Sequence, residues 1–224
     1  MKPLLLPPDS RVAEFLARHQ PAYRYRRPRY QLQLLKDLAA LMPAGSCRVL
    51  DIGAGNGLIG EALMEFLPGK SVTGVDVAPR LLPSVRFACA AYDGVNLPFA
   101  DGAFDCALFC NVLHHVDPAS RGRLLREALR VTGGGPVLVK DHLARSTLDR
   151  LRLAVLDLVG NLPFGGMVRA EYLAERDWAR LLGELGCSRQ ALPASSYRSG
   201  LSAVCFPNRL EVCFSIAQSR SSAA

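Results

Sequence analysis

The chain has 224 residues, of which 50% are hydrophobic and 21% charged, enough for one domain with a full core. No apolar run reaches the ~18 residues that cross a bilayer, and the N-terminal "MKPLLLPPDS" is too short in apolar length for a secretory signal. Its 7 cysteines form no C-x-x-C pair and read as buried reduced thiols of a cytoplasmic protein, while the formal charge of +7 keeps an anionic partner open.

Residues 1–30 are rich in proline and arginine and read as an N-terminal extension, with a short helix expected over Ser10–His19. The stretch "YRYRRPRY", Tyr23 to Tyr30, interleaves basic and aromatic side chains. It suits a solvated face, a lid in which Tyr23, Arg24 and Tyr25 close over a ligand, or contact with nucleic acid. A helix from Tyr30 to Leu41 follows, with Leu34, Leu35, Leu38 and Leu41 on one side, and "MPAGS" breaks it.

From there strands and helices alternate. "CRVLDIG" is an apolar strand, "GLIGEALMEFL" a helix, "SVTGVDV" a second strand, "PRLLPSV" a broken helical turn and "RFACAAYD" a weak third strand. A fourth strand centres on Ala107–Cys110, Ser120–Val131 is a helix ended by "TGGG", and "PVLVKDH" is a fifth strand. Apolar strands separated by helices predict an α/β fold with a doubly wound, mostly parallel sheet and helices on both faces. Ligands of such sheets bind at the carboxyl ends of the strands.

The pattern then changes. Ser146–Val159 reads as a helix with Ser146 as N-cap and Gly160 as stop. Its stripe of Leu148, Leu151, Val155 and Leu158 suits core packing, a dimer contact or a lipophilic acceptor. "NLPFGGMVRAEYL" is an irregular loop, and "AERDWARLLGELG" a helix with Trp178 in its core face. "CSRQALPA" and "RLEVCFSIA" form a final strand pair, and residues 219–224 read as a frayed tail.

The loop "LDIGAGNGLIG", Leu50 to Gly60, has two frames. From Gly55 it matches the dinucleotide fingerprint G-x-G-x-x-G, with Asp76 about twenty residues on. That frame starts two residues late, because Gly53 already follows the strand and position 58 is Leu58. The frame that fits the strand end is D-x-G-x-G-x-G from Asp51.

In this frame "VLDIGAGNG" resembles the first motif of class I S-adenosylmethionine-dependent methyltransferases, in particular the small-molecule type. "VTGVDVAP", "YDGVNLPFADGAFDCALFCNVLHHV" and "LLREALRVTGGGPVLVKDH" resemble the later motifs in order and spacing, covering about Arg48 to His142. The resemblance implies a seven-stranded Rossmann-like sheet with an antiparallel last strand, in a domain over 31–218 with a substrate-recognition insertion near 145–175. It implies S-adenosylmethionine as cofactor and S-adenosylhomocysteine as product.

It also implies roles for individual residues. Gly53, Gly55 and Gly57 let the backbone pass close to the cofactor. Asp51 lies by the amino end of its methionine part and Asn111 beside that part. Asp76 accepts the ribose hydroxyls, Val77 packs on the adenine, and Asp93 accepts from the adenine amino group, with the Gly94 N–H nearby.

The reaction needs an acceptor aligned with the sulfonium methyl and, for a hydroxyl, a base. His114, His115 and His142 are the candidate catalytic residues, because histidine titrates near neutrality and these follow the fourth and fifth strands. "KDH", Lys140 to His142, offers three polar groups at the crevice lip, or Lys140 and Asp141 pair with each other. Asn161, Phe164, Met167 and Tyr172 are candidates for an acceptor pocket. No metal-binding spacing is visible. The expected partner is a small-molecule acceptor, methylated on oxygen, or else on nitrogen or carbon, by a monomer or homodimer. RNA methylation and an NAD-dependent oxidoreductase are the alternatives. A [DNS]-PP-[YF] motif for base amino groups is absent.

Overall fold

The computed structural model describes residues 4–25, 28–161 and 169–218. Two helices come first, α1 over Asp9–His19 and α2 over Arg29–Leu41. The alternating core follows: β1 (Cys47–Ile52), α3 (Leu58–Phe66), β2 (Lys70–Asp76), β3 (Cys89–Ala91), β4 (Cys106–Cys110), α4 (Pro118–Val131) and β5 (Val137–His142). Then come α5 (Thr147–Asn161), α6 (Glu175–Glu184), β6 (Cys187–Ala191), α7 (Gly200–Cys205) and β7 (Glu211–Gln218).

The seven strands lie in the order β3-β2-β1-β4-β5-β7-β6. The first five are parallel, and β7 runs antiparallel between β5 and β6. Successive side chains of a strand point to opposite faces, so the parallel strands β1, β2, β4 and β5 feed two apolar layers. Val49, Leu108 and Leu138 pack with Leu16 of α1, Leu35 and Leu38 of α2 and Leu63 of α3. Leu50, Ile52, Phe109 and Val139 pack with Leu124 and Leu125 of α4 and Trp178 and Leu182 of α6. The strand order reverses between β1 and β4, and the carboxyl ends of those strands open a crevice at that point.

Local chemistry explains several boundaries. The Asp117 carboxylate accepts from the Ala119 N–H at 2.9 Å and Pro118 opens α4, a capped start. Ser146 Oγ accepts from the Asp149 N–H at 3.2 Å, as an N-cap of α5 should. The "PRLLPSV" stretch is not helical: Pro79 and Pro83 remove donors, and the Leu82 N–H bonds instead to the Asn56 carbonyl at 3.0 Å. The long connection before β7 contains the unforeseen helix α7.

The helix α5 is oriented opposite to the simplest reading of its stripe. Leu148, Leu151, Val155 and Leu158 are exposed, Leu151 at 63%, so they do not pack in the core. Its inward face instead buries Leu153 with two carboxylates, Asp149 and Asp157. Asp149 is satisfied by the Arg209 guanidinium, at 2.6 and 2.9 Å. Among the described residues, no helix is long and apolar enough to cross a membrane.

Candidate active site

A cavity of about 710 Å³ lies at the carboxyl ends of β1, β2 and β4. Asp51, Gly53, Gly55, Asp76, Val77, Asp93, Gly94, Asn111 and His115 all line it. Gly57, His114 and His142 stand outside the lining.

The glycine loop is shaped first by its own packing. Gly53 has φ +76°, and a Cβ there would stand 2.6 Å from Val112 Cγ2. A Cβ at Gly57 would meet Leu81 Cδ2 at 2.7 Å. Gly55, at φ +58°, differs: its nearest obstacle is the Gly53 carbonyl at 4.0 Å. All three positions favour glycine through positive φ; protein contacts add to this at Gly53 and Gly57, whereas the space beside Gly55 is open.

Three carboxylates surround this loop, each in a different state. Asp51 is buried in the end of β1, and burial followed by the nearby Asp76 pushes its pKa up to about 7. Asp76 ends β2 and holds the loop itself: its two oxygens accept from the Gly55 N–H at 2.8 Å and the Ala78 N–H at 2.9 Å. An ionised carboxylate has about four acceptor positions, so capacity remains on both oxygens. Asp93 is exposed and accepts from the Asn96 N–H at 2.6 Å and the Val95 N–H at 2.8 Å. Those bonds and the Asn96 side chain bring its pKa down to about 2. Beside them, Val77 leaves half of an apolar side chain in the cavity, and Tyr92 adds an aromatic ring.

The far wall is built by the end of β4. Asn111 is the only described non-glycine residue at positive φ, +56°. Its Oδ1 accepts from Lys140 Nζ at 3.0 Å and from the Tyr30 hydroxyl at 3.2 Å. The next turn, Leu113–His115, splits the histidine pair. His115 faces the cavity, and its Nδ1 lies 2.8 Å from the Arg169 carbonyl. That carbonyl can only accept, so Nδ1 carries the proton and Nε2 holds a lone pair. Burial and then His114 lower the His115 pKa.

His114 points the other way, into a sealed polar network. Its Nδ1 bonds Asp141, and its Nε2 faces Asp157 at 3.4 Å. Burial lowers the His114 pKa, but the two carboxylates outweigh it and push it up to about 9. His142 lies between Glu211, 3.0 Å from Nδ1, and Asp157, 3.5 Å from Nε2. Glu211 also accepts from Lys140 Nζ at 2.6 Å and pairs with Arg198.

Two expectations are corrected here. Lys140 and Asp141 do not pair with each other: Lys140 takes Glu211 and Asp141 takes His114, because adjacent strand residues face opposite sides of the sheet. "KDH" is no crevice lip either, since all three side chains are buried under β7 and α5. Tyr172 is likewise buried, its hydroxyl donating to Asp157 at 2.6 Å. Tyr23 lines the cavity, while Tyr25 is 93% exposed outside it. Phe164, Met167 and the Asn161 side chain, and with them Arg26 and Arg27 of the basic stretch, lie outside the described residues.

Sequence reading missed Tyr30, Asp157 and Glu211. A signal existed for Asp157, a single acid within the apolar run "LAVLDLV". Glu211 and Tyr30 carried none, since their partner Lys140 lies 71 and 110 residues away in sequence.

Residues 50–139 match the family model described as a methyltransferase domain. The chain is 34% identical over 109 residues to a ubiquinone biosynthesis O-methyltransferase of Cereibacter sphaeroides, covering 44% of this chain and 43% of that protein. It is 31% identical over 144 residues to a demethylmenaquinone methyltransferase of Tropheryma whipplei, covering 58% of this chain and 59% of that one. It thus spans about half the length of the curated relatives it matches. Among solved structures, an S-adenosylmethionine-dependent methyltransferase of Thermotoga maritima superposes with a TM-score of 0.58 at 20% identity, covering 92% of this chain and 99% of that one.

Proposed function

From a chain that carries a class I S-adenosylmethionine-dependent methyltransferase domain, we propose an enzyme that methylates a small organic acceptor, first of all on a hydroxyl oxygen. One observation carries the reading: three acidic strand-end residues and an open glycine converge on one cavity that also exposes an apolar valine. The two relatives are named for ubiquinone biosynthesis and for demethylmenaquinone, which supports a small acceptor.

The residues suit the cofactor. In this reading Asp51, on the cavity wall, meets the ammonium of the methionine part, and Asp76 keeps acceptor capacity for ribose hydroxyls. Val77 and Tyr92 offer apolar surface to the adenine, and Asp93 an acceptor for its amino group. When bound, S-adenosylmethionine supplies a methyl group already activated by its sulfonium centre. The protein's part is to align the acceptor with that methyl and exclude water, and orientation alone is worth ~7–11 kcal/mol.

His115 is the residue we assign to the acceptor proton. Its Nδ1–H is committed to the Arg169 carbonyl, which leaves Nε2 as the free base on the cavity wall. His114 and His142 have their nitrogens turned to carboxylates and are buried, so they are not the base. A general base contributes ~10²–10⁴-fold, less than alignment, so His115→Ala lowers turnover within that range without abolishing it.

The test is calorimetry with S-adenosylhomocysteine and, separately, NADH, followed by transfer of labelled methyl from the donor into a pooled small-molecule extract. Donor-product binding with label in small molecules supports the reading. Tighter binding of NADH overturns the cofactor assignment, and label appearing only in added RNA overturns the acceptor class.

A further inference from the structure

Behind the cavity wall, the turn after β4, the end of β5 and α5 bring His114, His142 and Asp157 together. One ligand atom from each lies within 4.8 Å of the others, and all three residues are buried. We propose that this triad binds a divalent cation of the zinc class. The inference stands on these residues alone and does not depend on methyl transfer.

Distance is the first argument. Asp157 approaches His114 Nε2 at 3.4 Å and His142 Nε2 at 3.5 Å. Charge-assisted hydrogen bonds run ~2.7–2.9 Å, so these are poor bonds for buried groups of complementary charge. They run to the two different Asp157 oxygens, Oδ2 and Oδ1, and match the edge length of a coordination polyhedron that one carboxylate oxygen and the two imidazoles, within 4.8 Å of one another, close around an ion by a small adjustment. Ligands ~2.0–2.2 Å from a tetrahedral ion stand roughly 3.3–3.6 Å apart. His114 Nε2 is fully buried and has no hydrogen-bond partner, although it is aimed at Asp157.

The second argument is what stands behind each ligand. His114 Nδ1 bonds Asp141, whose other oxygen accepts from the Leu113 N–H at 3.0 Å. His142 Nδ1 lies 3.0 Å from Glu211, an ion-pair contact without hydrogen-bond geometry, and Lys140 holds that carboxylate in place. The Tyr172 hydroxyl orients Asp157. A carboxylate behind each imidazole and a donor on the ligating carboxylate is the outer arrangement that fixes ring orientation and raises ligand basicity in metal sites. Two imidazoles and one carboxylate favour zinc over magnesium or calcium, which prefer all-oxygen shells. Three protein ligands leave the fourth position of a tetrahedral ion for water or another oxygen donor.

The experiment uses the full chain, stripped with chelator and titrated with zinc by competition calorimetry, and separately loaded with cobalt(II) as a spectroscopic stand-in. One equivalent of zinc and the intense visible absorption of four-coordinate cobalt are expected. Asp157→Asn, nearly isosteric, weakens zinc by more than 100-fold, and Asp141→Asn by roughly 10–100-fold. His19→Ala, on a histidine that bonds Ser84 far from the triad, leaves both readouts unchanged. Absence of stoichiometric zinc in the unaltered protein, or equal affinity in folded Asp157→Asn, overturns the site. Circular dichroism verifies folding, and the unaltered protein's stoichiometry decides the matter even if a variant fails to fold. Binding of S-adenosylhomocysteine, measured separately, keeps this outcome distinct from that of the donor cavity.

Discussion

The ends of β1 and β2 and the end of β5 carry the same kinds of residue and put them to opposite uses. On the first side, Asp51 and Asp76 border open space, and Asp93 lies beyond them in solvent. On the second, Lys140, Asp141 and His142 are closed over by β7 and α5, and each side chain meets an opposite charge. A polar strand end is therefore no guide to availability. What matters is whether another element supplies the partners. Here the antiparallel strand brings Glu211, and the inverted face of α5 brings Asp157, to the carboxyl end of β5.

The two regions should fail differently, and the largest effect lies in the sealed one. Lys140→Ala removes one of the two basic side chains paired with buried Glu211, leaving Arg198, and should lower unfolding free energy by up to about 3–5 kcal/mol in urea titration. Cavity-side variants should instead affect binding. Asp76→Ala or Asp93→Ala is expected to weaken S-adenosylhomocysteine more than tenfold while the protein stays folded, and unchanged affinity in both would remove the cavity assignment.

Asp51 sharpens the contrast through pH. Its folded pKa of about 7 lies above the ordinary carboxylate value, so between about pH 4 and 7 the folded state holds more protons than the unfolded. The folded protein should therefore lose stability as pH rises through that window, by up to roughly 1.4 kcal/mol per unit. Donor binding should move oppositely, because a charged Asp51 attracts the donor's ammonium. Affinity should rise toward pH 7 by at most about tenfold per unit, and Asp51→Asn should flatten both trends. The smallest effect belongs to the outer face of α5: Leu151→Ser should change stability by less than about 0.5 kcal/mol, whereas a buried leucine would lose several.

Most of the alternating region was legible because its signals are local. Apolar runs, glycines after a strand and an N-cap before a helix each act within a few residues, and β1 to β5 with their helices lie where those signals put them. Asp51, Asp76 and Asp93 were legible for the same reason, since each lies at or just beyond the end of a strand whose direction the alternation sets. α5 defeated the same logic. Its leucine stripe has helical periodicity, but periodicity does not say which face turns inward, and two buried aspartates with distant partners decided that.

By itself, then, the amino-acid order determined the parallel sheet, the glycine turn and the carboxylates around it, because short-range backbone sterics and side-chain alternation are enough to specify them. Only tertiary structure decided which of two adjacent histidines faces the cavity, which cation neutralises which acid, and that His114, His142 and Asp157 meet. Those outcomes depend on electrostatic pairing between residues far apart in the chain, and such pairing exists only once β7 and α5 have docked.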